Sequence, residues 1–85
     1  MTGKLYIGNL PSSATETELQ TKFGRFGRVL SAAIETDAAT GRSKRSAFIE
    51  METGAEAQAA INQLNMTQYD DVVISVYRVR LKQSA

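Results

Sequence analysis

The chain has 85 residues, of which 42% are hydrophobic and 22% charged, with a formal net charge of +1. A chain this short holds one domain with one core and buries about 60–65% of its unfolded surface, which leaves little room for a deep internal active site. It contains neither cysteine nor histidine, which excludes disulfides, thiol nucleophiles, Cys/His zinc sites and Fe–S clusters, and removes the commonest general base.

Residues 4 to 9 (KLYIGN) are apolar and aromatic and stop at Leu10-Pro11, which reads as a strand. Thr15 and Glu18 have the spacing of a capping box. Leu19, Phe23 and Phe26 follow on one helical face, so a helix is expected over Thr15–Phe23, ended by Gly24 and Gly27. A second strand is expected over 28–36 (RVLSAAIET). The polar stretch Asp37–Lys44, with Gly41, reads as the loop of a hairpin. In 45–52 (RSAFIEME), Ala47, Ile49 and Met51 alternate with Ser46, Phe48 and Glu50, which is a third strand with two distinct faces. Thr53 and Glu56 make a second capping box, and Ala57, Ala60, Ile61 and Leu64 form a helical stripe. Asn65–Asp71 is expected to be a turn, and Val72 to about Arg80 the last strand.

The order β-α-β-β-α-β is the split βαβ, ferredoxin-like α+β arrangement. Right-handed crossovers place both helices on one face of a four-stranded antiparallel sheet and leave the other face bare. The whole chain is expected to be a single domain, structured over about 4–80 with a tail at 81–85. No apolar run approaches the roughly 18–20 residues of a membrane span, and Met1 is not followed by a basic-then-apolar leader. An intracellular, cytoplasmic monomer is therefore expected, with a nuclear location left open. The near-neutral total supplies no global field toward nucleic acid, so any electrostatic footprint must be local. Basic residues gather at Arg42, Lys44 and Arg45 and again at Arg78, Arg80 and Lys82.

On the first strand Leu5 and Ile7 have core parity, so Lys4, Tyr6 and Gly8 face the bare side, as Phe48 does on the third. Two exposed rings on central strands suit the stacking of unpaired bases, at about 1–3 kcal/mol each. Gly8 leaves room for a base close to the backbone. On the last strand Ile74 and Val76 have core parity, while Ser75 and Tyr77 face the open side. Beyond Val76 the pattern inverts. Either the strand ends or a bulge shifts it; in a straight strand Arg78, Arg80 and Lys82 would point toward the helices.

Leu5-Tyr6-Ile7-Gly8-Asn9-Leu10 resembles the hexapeptide signature of the RNA recognition motif, and Lys44–Met51 resembles the family's octapeptide in its second half. Asn9-Leu10-Pro11, Leu19, Phe23, Phe26-Gly27, Val29, Asp37, Thr40–Ser43, Ala57, Ala60-Ile61 and Leu64-Asn65 also fall where that family has such residues. The resemblance spans about residues 4 to 77. It implies the ferredoxin-like fold and single-stranded RNA, or sometimes single-stranded DNA, bound across the sheet; from the residue types present, no cofactor and no catalysis are expected. Its strand order places Tyr77 beside Tyr6. Two departures stand out: Arg45 replaces the octapeptide's usual glycine, and Ser46 replaces an aromatic on the nucleic-acid side.

With one stacking ring missing, affinity is expected to be modest and specificity low. The residues expected to meet RNA are thus Tyr6, Phe48, Lys4, Gly8, Lys44, Arg45, Ser46, Glu50, Ser75 and Tyr77, with Lys4, Lys44 and Arg45 on phosphates. A protein-interaction module of the same fold is the alternative. Three other readings are weaker. Gly24-Arg25-Phe26-Gly27 has the spacing of a KH loop but precedes a strand rather than a helix. Acylphosphatase needs an arginine in the loop after the first strand, and copper carriers need paired cysteines; neither is present.

Overall fold

The computed structural model describes residues 2–79. Strand β1 (Gly3–Gly8) buries Leu5 and Ile7 completely. It ends at Asn9, which takes a left-handed φ of 62°; its side-chain amide donates to the Val73 carbonyl at 2.7 Å. Asparagine tolerates this conformation better than most residues, and here its side chain caps the end of the strand.

Helix α1 (Glu16–Phe23) begins with the capping box, the Glu18 N–H donating to Thr15 Oγ1 at 3.1 Å and the Thr15 N–H to Glu18 Oε1 at 3.3 Å. Helix α2 (Gly54–Leu64) repeats the device with Thr53 and Glu56. Its buried residues are small, Ala57 and Ala60, and they bring it close to β1. A Cβ at Gly3 would come within 2.5 Å of the Ala57 Cβ, so glycine there permits the approach.

Strands β2 (Val29–Thr36) and β3 (Ser43–Met51) are joined by a turn built on Asp37. Its carboxylate accepts from the N–H groups of Ala39 (2.8 Å) and Thr40 (3.1 Å), an Asx turn, and Gly41 supplies a φ of 73°. The loop is shorter than expected, because Ser43 and Lys44 already belong to β3.

The last third differs most from the sequence reading. Within the expected turn lies a strand, β4 (Gln68–Tyr69), which pairs with β5 (Val72–Val73) in a separate hairpin. The final strand, β6, spans only Ser75–Arg78. Hydrogen bonding explains the break. Ile74 is held by the loop, accepting from the Met66 N–H at 2.9 Å and donating to Thr67 O at 3.0 Å, and the Val76 N–H donates to Asn65 Oδ1 at 2.9 Å. Up to Ile74 the backbone is therefore bonded to the segment after α2, and only from Ser75 does it pair with β1.

Among the described residues no bulge follows Val76. Arg78 pairs with Leu5 and its guanidinium donates to the Gly54 carbonyl on the helix side, so it is withdrawn from the open face. The Val79 N–H still bonds Lys4 O at 2.8 Å. Arg80, Lys82 and the expected tail lie outside the described residues. The irregular register occurs instead in β2–β3, between Val29 and Ser31 and between Ile34 and Thr36.

The main sheet has the order β2-β3-β1-β6, with every pairing antiparallel. Leu19, Phe23, Ala57 and Ala60 from the helices join Leu5, Ile7, Ala47, Ile49, Met51 and Val76 from the strands in one core. This is the ferredoxin-like fold, and it leaves the opposite face of the sheet for other use.

Candidate nucleic-acid interface

Pairing register sets the site. Phe48 is the cross-strand partner of Tyr6, and Tyr6 is the partner of Tyr77; on the far side Ala33 is the partner of Phe48. One row across the four strands thus reads Ala33, Phe48, Tyr6, Tyr77. The Phe48 and Tyr6 rings meet edge to face, with centroids 5.2 Å apart and planes at 63°. Tyr6 and Tyr77 are stacked at 5.6 Å and 16°. Tyr77 is 52% exposed, whereas Tyr6 and Phe48 are partly shielded.

Lys4 and Gly8 flank Tyr6 on β1. The Lys4 ammonium sits 5.2 Å from the Phe48 centroid, within cation–π range. A Cβ at Gly8 would lie 3.5 Å from Tyr6 Cε2 and 3.6 Å from the Tyr77 hydroxyl, so the bare backbone of Gly8 opens beside both rings. Ser75 pairs with Gly8. Glu50 lies across from Lys4 on one side and Ser31 on the other.

Arg42, Lys44 and Arg45 are exposed at the β2–β3 end of the sheet. Arg45 has a φ of 63° and its Nε donates to Leu10 O at 2.9 Å. The residue standing in place of the family's glycine therefore adopts the left-handed conformation that glycine takes most readily. Its guanidinium is partly engaged with the chain end of β1.

Ser46 behaves differently from expectation. It has open-face parity, yet it is only 6% exposed. Its hydroxyl donates to Glu35 Oε1 at 2.7 Å. Sequence reasoning missed Glu35, which shares its parity with Ala33 but whose bond to Ser46 becomes legible only once β2 is registered against β3. The open face thus carries Lys4, Glu35 and Glu50 within the sheet, and the surplus positive charge stands at its loop end. The Glu18–Tyr69 pair, joined by a hydrogen bond on the α1 side of the molecule, lies apart from this surface.

An antiparallel sheet of this order, with aromatic residues in register on its two central strands, is the architecture of a single-stranded nucleic-acid platform. Comparison with known proteins gives the family. The chain belongs to the RNA recognition motif family, whose model matches residues 5–75. It is 34% identical over 79 residues to the putative RNA-binding protein RbpE of Nostoc sp., covering 93% of this chain and 80% of that one. A crystal structure of RNA Binding Protein PG1 superposes with a TM-score of 0.90 at 30% identity, covering 96% of this chain and 99% of the other. The Sxl-lethal protein/RNA complex superposes with a TM-score of 0.84 at 35% identity, over 89% of this chain and 47% of that one.

Proposed function

We propose that this chain binds single-stranded RNA across the open face of its sheet and performs no catalysis. The observation that carries the reading is the row Phe48, Tyr6, Tyr77, three rings in one register on adjacent strands. Each ring can take a base by stacking, and Gly8 lets a nucleotide approach the backbone beside them. Two to four nucleotides would span the row, with Lys4, Lys44 and Arg45 on phosphates. Ser75 and Glu50 edge the same surface, and Ser46 acts from beneath it rather than by direct contact. Family membership and the RNA-binding names of similar proteins support the same conclusion.

With serine in place of the family's octapeptide ring, affinity is modest and tolerance of sequence broad, and the molecule acts as a monomer. The test is an amide chemical-shift titration with short unpaired RNA, with DNA of the same sequence alongside to weigh the 2′-hydroxyl. Shifts clustered on residues 4–9, 44–50 and 75–79 are expected. Phe48→Ala and Tyr6→Ala should each weaken binding about tenfold or more with the fold intact. Shifts confined to the two helices would instead favour a protein-interaction module.

A further inference from the structure

We propose that Glu35 is a specificity-determining residue for one seat of an otherwise sequence-tolerant surface, favouring guanine and disfavouring uracil at the base on Phe48; this rests on the RNA-binding reading above. Glu35 projects from β2 onto the open face at the point where the β2–β3 register shifts, between Ile34 and Thr36. Such bulges re-aim side chains. Its carboxylate is held by the Ser46 hydroxyl at 2.7 Å, and Ser46 is two residues from Phe48 on the same face. Glu35 is thereby diagonal to Phe48, a separation of about 7–8 Å along a sheet. Ala33, the direct partner of Phe48, precedes Glu35 by two residues on the same strand, and its single methyl leaves space for the edge of a base.

A carboxylate in that position repels phosphate and can only accept hydrogen bonds. The cations are elsewhere, with Arg42, Lys44 and Arg45 at the loop end and Lys4 over the Phe48 ring. A nucleotide stacked on Phe48 therefore keeps its phosphate away from Glu35 and turns its base edge toward it. Guanine presents two adjacent donors, N1–H and N2–H2, to the two carboxylate oxygens. Uracil presents one N–H between two carbonyls, and at least one of those faces the carboxylate oxygen unpaired. The Ser46 bond occupies one acceptor position on Oε1 and leaves Oε2 and a second lone pair of Oε1 available. It also fixes the rotamer, so less freedom is lost on binding. The serine at the octapeptide's aromatic position thus supports a base-reading carboxylate where a third ring would have stood.

The test measures affinities of the wild-type protein for the pentamers UUGUU and UUUUU and for UUIUU, in which inosine lacks the N2 amine. Discrimination by a well-placed bidentate pair is expected to be about tenfold in favour of UUGUU, with UUIUU falling most of the way to UUUUU. In Glu35→Gln, whose carbonyl can still accept from Ser46, the guanine preference should shrink to within about twofold while the amide spectrum shows an intact fold. A preference unchanged in Glu35→Gln, or equal affinity of the wild type for UUGUU and UUIUU, would overturn the role of Glu35 while leaving RNA binding in place. No binding to any of the three pentamers would overturn the RNA-binding reading itself.

Discussion

Tyr77 stacks on Tyr6, with 5.6 Å between ring centroids and 16° between planes, although the two residues are separated by almost the whole chain. The pairing follows from β6 lying beside β1 in antiparallel register, and it means that the edge strand contributes to the same surface as the central pair. Half-exposed Tyr77 adds little to the core.

Tyr77→Ala should therefore separate binding from stability. An exposed aromatic pair contributes roughly 0.5–1.5 kcal/mol beyond burial, whereas loss of a stacked base costs about 1–3 kcal/mol. Affinity for a trinucleotide or longer should fall by about tenfold, while the urea midpoint moves slightly. Equal affinity of Tyr77→Ala and wild type for such an RNA would confine stacking to Tyr6 and Phe48.

Binding should depend on salt, but less steeply than for a strongly basic domain. Four cations border the surface (Lys4, Arg42, Lys44 and Arg45), and each phosphate neutralised on a single strand contributes about −0.7 to the slope of log affinity against log salt. A slope of roughly −2 to −3 is expected in titrations between low and moderate salt. Lys44→Ala should flatten it by about 0.7 without changing base preference. A slope near zero would indicate an apolar protein interface.

Gly8→Val should leave the protein folded. A Cβ there meets only ordinary contacts, at 3.5 Å and 3.6 Å, and valine favours strands. Its methyl groups would nevertheless occupy the space beside Tyr6 and Tyr77 that a base needs. Calorimetric titration should show affinity lowered by about tenfold, comparable to losing one stacked base, with thermal unfolding close to wild type.

On the opposite side of the molecule Tyr69 predicts a pH effect on stability. Its phenol is pushed well above the ordinary 10.0, first by burial, then by its hydrogen bond to Glu18 and the negative charges of Glu18 and Asp70. The unfolded chain therefore loses this proton first. The contribution is fully present below pH 10 and declines as pH rises above it. Tyr69→Phe removes the proton and the hydrogen bond together. Denaturant unfolding between pH 9 and 11 should show a smaller loss in Tyr69→Phe than in the wild type.

The helices were legible in detail because their signals are local. Thr15 with Glu18 and Thr53 with Glu56 mark helix starts by spacing alone, and each cap forms within four residues. Alternation likewise assigned Leu5, Ile7, Ala47, Ile49 and Met51 to the core. The last third was less legible. Residues 72–80 look like one continuous strand, because nothing nearby in sequence shows that Asn65, Met66 and Thr67 claim the backbone around Ile74 and Val76.

By itself the amino-acid order determined which side the residues of β1, the 45–51 part of β3 and the start of β6 face, since a period of two admits only one choice once a buried face exists. Tyr6, Phe48 and Tyr77 were assigned to the open side on that ground. Packing alone decided how those residues meet: that three rings share one row, that Arg78 turns back to Gly54, and that Ser46 is closed over by Glu35. Those outcomes depend on hydrogen bonds between segments far apart in the chain, and register across a sheet is a property of pairs of strands that no single strand encodes.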